Sequence, residues 1–246
     1  FKYFFLLILL LGLGKTMFAQ CPTNIDFEDG TFNGWKCYSG SFNGVVTMGP
    51  SIPPNPGRHD IISAATVPSR DPYGNFPKLC PNGSNYSIRI GLQTTGTNAD
   101  RVTYTFTIPA TANSYSLIYN YAIVINNTGG HPANIQPRLT VTVKNLTDNT
   151  TDNCASFDIA YSTANPLPGF QSAPSNPNVK YKPWAANSIN LDGNAGKTIE
   201  ISFTATGCGA TGGTHFGYAY VDLNTECSSS FIGASYCPDD TAINVT

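Results

Sequence analysis

The chain has 246 residues, of which only 11% are charged, and its net charge is −2. A surface so poor in basic groups excludes nucleic acid as a partner, because phosphate binding needs a positive face. Phe1 to Ala19 reads as a secretory signal: Lys2 supplies the positive end, and Phe4 to Leu13 is an apolar run too short for a membrane-spanning helix. Cleavage after Ala19 leaves enough chain for one large β domain with no membrane insertion of its own.

In chain order, Asn24 to Glu28 reads as a short strand, and the segment from Glu28 to Trp35 turns on Gly30 and Gly34. Gly44 to Met48 and Asp60 to Ala64 are short strands on either side of a proline-rich loop, Gly49 to Arg58. A second long loop, Pro68 to Gly83, precedes a strand at Asn85 to Leu92. Arg101 to Ile108 alternates cleanly, with Val102, Tyr104, Phe106 and Ile108 facing in and Arg101, Thr103, Thr105 and Thr107 facing out. Tyr115 to Ile125 is apolar on both faces, as a central strand covered on both sides should be. Leu139, Val141 and Val143 alternate with polar residues, and Phe157 to Tyr161 is a weaker strand. Asn165 to Pro183 is rich in proline and reads as an irregular excursion. Ile189 to Leu191 and Ile199 to Ala205 follow.

Gly212 to Leu223 closes the domain and is its most distinctive stretch. Phe216, Tyr218, Tyr220 and Asp222 fall on one face, and Gly217, Ala219, Val221 and Leu223 on the other. This strand is expected to lie beside Asn24 to Glu28. No amphipathic helix is expected after the signal. About ten or eleven strands with Gly/Pro turns predict an all-β protein, a disulfide-stapled jelly-roll β-sandwich spanning residues 20–228. Residues 229–246 read as a linker and the start of a second, truncated β domain.

Seven cysteines and no CxxC pair suit an oxidising compartment rather than zinc or redox chemistry. Cys21 and Cys227 flank the two closing strands and are expected to pair. Cys37–Cys80 and Cys154–Cys208 are the remaining local choices, and Cys237 is left for a partner elsewhere. Six cysteines allow many connectivities, so this choice rests on topology alone.

The segments Phe27–Trp35 (FEDGTFNGW), Gly57–Ile62 (GRHDII), Asp71–Gly91, Ala99–Pro109, Tyr181–Trp184 (YKPW) and His215–Asp222 (HFGYAYVD) together resemble the N-terminal jelly-roll domain of large secreted surface proteins of Bacteroidetes. The resemblance covers roughly Cys21 to Cys227. It implies continuation into PKD or immunoglobulin-like repeats, a type IX sorting domain and, in some members, a gliding-motility association. The chain is also similar, more distantly, to MAM domains and to jelly-roll carbohydrate-binding modules. The latter likeness implies a structural calcium ion where the closing strands meet.

For such a calcium site Glu28 and Asp222 are the first candidates, with Asp29 and Asn33 as further ligands, since calcium takes six to eight oxygens from carboxylates and carbonyls. For a binding surface, Trp35, Tyr73, Trp184, Tyr218 and Tyr220 offer flat apolar faces to sugar rings. Trp184, after Pro183 in a long loop, is the best exposed of these. Catalysis has no comparable support. Glu28 and Asp222 sit at a strand end rather than across a cleft, no serine occupies a Gly-x-Ser-x-Gly elbow, and His59, His131 and His215 are scattered along the chain, which speaks against a transition-metal site. His215 beside Phe216 reads as a core or edge histidine. The expectation is a non-enzymatic, secreted cell-surface module for adhesion or ligand binding, its ligand a glycan or a surface protein. The competing expectations are an accessory carbohydrate-binding module of a secreted hydrolase and a purely structural cap.

Overall fold

The computed structural model describes residues 21–112, 114–126, 131–161 and 168–224, together with two short strand pieces at 234–235 and 244–245. The signal segment and Cys227 lie outside the described residues. Twelve strands build two antiparallel sheets: β1 (Trp35–Phe42), β2 (Val46–Ile52), β3 (His59–Ser63), β4 (Tyr86–Leu92), β5 (Asn98–Thr107), β6 (Ser116–Asn126), β7 (Arg138–Asn145), β8 (Thr150–Ala160), β9 (Gln171–Ala173), β10 (Asn176–Asn190), β11 (Thr198–Thr206) and β12 (Gly217–Leu223). The first sheet has the order β2-β1-β5-β11-β7-β8, the second β3-β4-β12-β6-β10-β9. A single 3-10 turn, Ala133–Ile135, is the helical structure among the described residues, and no helix there is long and apolar enough to cross a membrane. Ala234–Ser235 and Asn244–Val245 pair as a small separate ladder.

Alternation places the core. Val102, Tyr104, Phe106 and Ile108 of β5 and its continuation face the space between the sheets, as expected. There they meet Ile199, Ile201 and Phe203 of β11 and Ala219, Val221 and Leu223 of β12. β6 is buried on both faces: Leu117, Tyr119 and Ile123 look into the sandwich, while Ala122 and Val124 look outward into a second apolar cluster.

Several expectations are corrected. Asn24 to Glu28 is a turn and does not join the sheets. Asn24 and Phe27 adopt positive φ, 53° and 63°, a conformation that strands exclude. The Asn24 side chain accepts from the Asp29 N–H and donates to the carbonyls of Thr31 and Asn33, so it organises the turn. The neighbours of β12 are therefore β4 and β6. Ile25 and Phe27 are nevertheless fully buried, plugging one end of the core.

The presumed excursion from Asn165 is strand from Gln171 onward, apart from a two-residue turn. Its prolines are tolerated because they sit where the ladders are irregular. Pro177 lies in the register shift between Asn176 and Lys180, and Pro183 in the shift between Lys182 and Ala185. At such positions a strand needs no N–H to donate.

Cys37, Cys80 and Cys208 are free thiols, so neither Cys37–Cys80 nor Cys154–Cys208 forms. Cys37 faces the space between the sheets, and burial pushes its thiol pKa up to about 12. Cys80 lies on the other side of the second sheet, close enough to Asp222 to feel its charge. Cys208 packs against His131.

Phe203, fully buried, touches Tyr119 and Trp35 at ring-centroid distances of 5.4 and 6.2 Å. Phe203→Ala should cost about 3–5 kcal/mol of stability, measurable as a lowered midpoint in denaturant unfolding.

Candidate functional site

The rings of Phe216, Tyr218 and Tyr220 alternate onto the outer face of the second sheet, away from the sandwich core. Bare, they would form a large apolar patch. The loop between β3 and β4 folds back over them. Phe76 of this loop packs edge-on against Tyr220 at 5.7 Å, and Tyr73 lies over Phe216 at 5.3 Å. Gly74 lets the loop pass close to the sheet, since a Cβ there would fall 2.8 Å from the Tyr181 ring.

Asp71 fixes the loop in place. Its buried carboxylate accepts the Tyr73 and Gly74 N–H groups at 2.9 and 2.8 Å through Oδ1. Through Oδ2 it accepts the Tyr218 and Tyr220 hydroxyls at 2.7 and 3.1 Å. Burial, reinforced by the Asp71 charge, pushes both phenol pKa values upward, so both tyrosines stay protonated and donate. Arg89 stands over the Tyr218 ring at 5.8 Å and is itself paired with Asp60.

The loop covers only part of this face. Its border is marked by Trp184, whose indole N–H donates to the Pro77 carbonyl at 2.7 Å while its ring leans on Tyr220 at 6.2 Å. The β10 bulge between Lys182 and Ala185 turns Trp184 outward. It belongs to a strand rather than a loop, and it is partly exposed. Beyond it the register sets out two cross-strand rows, Ala186–Asn120–Asp222 and Ser188–Ile118–Asn224. The amides in these rows are linked. Asn120 Nδ2 donates to Asn224 Oδ1 at 2.9 Å, and Asn82 Nδ2 reaches Asp222 Oδ2 at 2.6 Å. The result is an indole near carboxamides supplied by β6, by the residue after β12 and by the β3–β4 loop. Such a surface can stack a flat apolar ring face and exchange hydrogen bonds with neighbouring hydroxyls.

The other aromatic candidates do not belong to this surface. Trp35 is a core residue, stacked on Phe27 at 4.6 Å and edge-on to Tyr104 at 5.2 Å, with its indole N–H on the Asn24 carbonyl. Tyr73, Tyr218 and Tyr220 are spent on the loop cover.

The carboxylate candidates split into two groups. Glu28 and Asp222 converge, although not through paired strands. Glu28 accepts from Asn85 and from the Tyr86 N–H at the start of β4, and its charge is felt by Asp222. Asp222 is fully buried, and its Oδ1 lacks a well-formed hydrogen bond. Burial raises its carboxyl pKa to about 7; hydrogen bonds from Ser84, Asn82 and Cys80 oppose the rise, and Glu28 adds to it. Asp29 and Asn33 are exposed and bind each other and Thr31 in a closed turn network.

Elsewhere, a pocket of about 190 Å³ is lined by Asn145, Asp148, Asp152 and Asn194, below the size usual for ligand clefts. The histidines are not scattered in space. His59 is a satisfied core residue, with Nε2 on the Tyr38 carbonyl and Nδ1 taking the Asn55 N–H. His131 and His215, however, meet beside Cys208, an arrangement that residues so far apart in sequence do not announce.

No family model and no curated protein matches the chain. Among solved structures it overlaps the carbohydrate-binding module TmCBM61 in complex with β-1,4-galactotriose at 13% identity and a TM-score of 0.40, covering 82% of this chain and 96% of that one. For the Caldicellulosiruptor saccharolyticus module CBM27-1 in complex with mannohexaose the values are 12%, 0.36, 81% and 92%. For the K2 cleaved adhesin domain of Lys-gingipain they are 12%, 0.33, 85% and 92%. These likenesses are loose, and what the surface can do is carried by its own residues.

Asp71→Ala should strand two buried phenols and two backbone N–H groups, at a cost of about 3 kcal/mol or more. The expected readouts are a lowered melting temperature and rapid proteolytic cleavage between Ser69 and Pro77 before the sandwich is attacked.

Proposed function

We propose that the chain is a non-enzymatic jelly-roll module that binds a glycan on the open part of the second sheet, as part of a secreted or cell-surface protein. The observation that carries this reading is Trp184. An indole held at its N–H end by Pro77, partly exposed, and bordering the Asn120, Asn224 and Asn82 amides, presents one apolar ring face and a fixed set of hydrogen-bonding groups. Sugar rings match that pattern, with an apolar C–H face and hydroxyls around the rim. A surface built on strands loses little freedom on binding, which favours affinity from few contacts. Adhesion to a glycan-bearing surface and service as an accessory module of a hydrolase use the same surface and differ in what the module is attached to.

The test is a polysaccharide and glycan array, followed by titration of the best ligand. Trp184→Ala should weaken that binding by about tenfold or more, in keeping with one to three kcal/mol for a ring-stacking contact. Asn120→Ala, which leaves the indole in place, should weaken it less. A folded wild-type domain that binds nothing on the array, or a Trp184→Ala variant that binds equally well, would sink the reading.

We further infer that Glu28 and Asp222 help hold a stabilising calcium ion. The support is Asp222 itself: a fully buried carboxylate with a poorly satisfied oxygen and an acidic neighbour suits a hard cation. The pH dependence has a definite sign. Without the ion, the folded pKa of about 7 exceeds the unfolded value of about 3.9. The stability contributed by protonated Asp222 is therefore full below about pH 4 and is lost as pH rises through about 7. In chelator the melting temperature should fall between pH 5 and pH 8, calcium should restore it and flatten the slope, and Asp222→Asn should abolish both effects. An unchanged melting temperature on adding chelator or calcium at neutral pH would refute the site.

A further inference from the structure

At one end of the sandwich three segments distant in sequence bring together two imidazoles and a thiol. Cys208 follows the end of β11, His215 precedes β12, and His131 lies ahead of β7. His131 Nδ1 is 3.1 Å from Cys208 Sγ, the two histidine ring centroids are 4.8 Å apart, and one donor atom from each of the three residues lies within 4.8 Å of the others. Among the described residues this is the one grouping of three or more His, Cys, Asp or Glu side chains with donor atoms so close.

The backbone holds the three segments in this arrangement. The Cys208 N–H is shared between the carbonyls of Gly96 and His215, at 3.0 and 3.2 Å, and the Gly96 N–H also reaches His215 at 3.3 Å. The Gly209 N–H bonds the Ile135 carbonyl at 2.8 Å, and Gln136 Nε2 donates to the His131 carbonyl at 2.5 Å. At Gly207 the chains run so close that a Cβ would lie 2.1 Å from the Gly96 oxygen. The Ala210 N–H points at Cys208 Sγ from 3.4 Å.

Two nitrogens and one sulfur are the donor set of a borderline-soft transition metal rather than of calcium or magnesium, which take oxygen. Zinc bonds of about 2.0–2.1 Å to nitrogen and 2.3 Å to sulfur put donor atoms roughly 3.3–3.7 Å apart around a tetrahedral ion, a spacing that small side-chain rotations reach from the observed one. A cysteine nucleophile paired with His131 is the competing use. Cys208 is fully buried and His215 is 4% exposed, so a substrate cannot approach the sulfur, whereas an ion can enter past the partly exposed His131.

We propose that His131, Cys208 and His215 form a three-ligand site for a zinc-class divalent metal ion, with the fourth position facing solvent on the His131 side. On binding, the Cys208 S–H bond breaks, its proton passes to solvent, and the sulfur–metal bond takes its place, so one proton is released for each ion bound. The site is separate from the glycan surface and from Glu28 and Asp222, and it stands or falls independently of both.

The experiment uses the full chain, reduced and stripped with chelator, then titrated with zinc and with cobalt in excess calcium. The expected result is one zinc per chain and, with cobalt, a thiolate charge-transfer absorption in the near ultraviolet. Cys208→Ala should abolish that absorption. His131→Gln, at a partly exposed position and shown folded by circular dichroism, should weaken zinc binding about tenfold or more. Cys37→Ala should leave both signals intact. Absence of the absorption in the wild type, its persistence in Cys208→Ala, or unaltered affinity in His131→Gln would overturn the proposal.

Discussion

A single buried carboxylate divides the outer face of the second sheet into two regions. β12 and the residue before it must place three aromatic rings on that face, because the other side carries the small residues that let the two sheets approach. The rings need covering, and the cover is a loop with little regular structure of its own. Asp71 ties both sides together, with two donors from the loop and two from the strand on its two oxygens. An ionised carboxylate out of water costs several kcal/mol unless its lone pairs are met. Here four donors meet them, and the phenols bonded to it cannot turn elsewhere. How much of this face is exposed follows from where the loop lies. Trp184 is half covered because Pro77 takes its N–H; beyond it the same loop reaches Asp222 through Asn82, while Asn120, Ile118 and Ser188 stay partly exposed.

Much of the fold was legible wherever period-two alternation was strong. β5 and β6 were read with the correct faces, and the two-sided character of β12 was plain from Phe216, Tyr218 and Tyr220 against Ala219 and Val221. Alternation could not say which of the faces of β12 would be covered by a sheet and which by a loop. Asn24 to Glu28 misled because Ile25 and Phe27 alternate like a strand, while the deciding feature is the left-handed backbone at Asn24 and Phe27, which composition does not reveal. β9 and β10 were obscured by Pro177 and Pro183, since a proline in the sequence does not show that it sits at a bulge.

The sites were legible to a lesser degree. Trp184 was singled out for exposure in a loop; its place is instead set by a bulge in β10. Glu28 and Asp222 do come together, but through a turn and the start of β4 rather than as ends of adjacent strands. Trp35 failed as a surface residue because a tryptophan stacked between Phe27 and Tyr104 is needed to fill the core. The His131, Cys208 and His215 cluster left no trace in spacing. Its members are joined only by the ladder that sets β11 beside β7 and by the turn that returns the chain to β12. The pairing of Cys37 with Cys80 misled for the same reason: spacing cannot show that the two lie on opposite sides of a sheet, while Cys21 and Cys154 are disulfide-bonded.

The strand order also bears on the sequence of events by which such a chain acquires its shape. β11 lies between β5 and β7, and β12 between β4 and β6, so the last two of the twelve strands to leave the ribosome fill the middle places of the two sheets. Until they arrive, the earlier strands have gaps at their centres, and their apolar faces lack the residues that join one half of each sheet to the other. Pairings this distant in sequence form slowly, because a long loop must close before any contact rewards it. A nascent chain stopped short of Gly217 is therefore not a smaller sandwich but two sets of unpaired edges, the state most open to association with other chains. Assembly of this domain waits on its last strands: its architecture withholds cooperative stability until synthesis has passed Leu223.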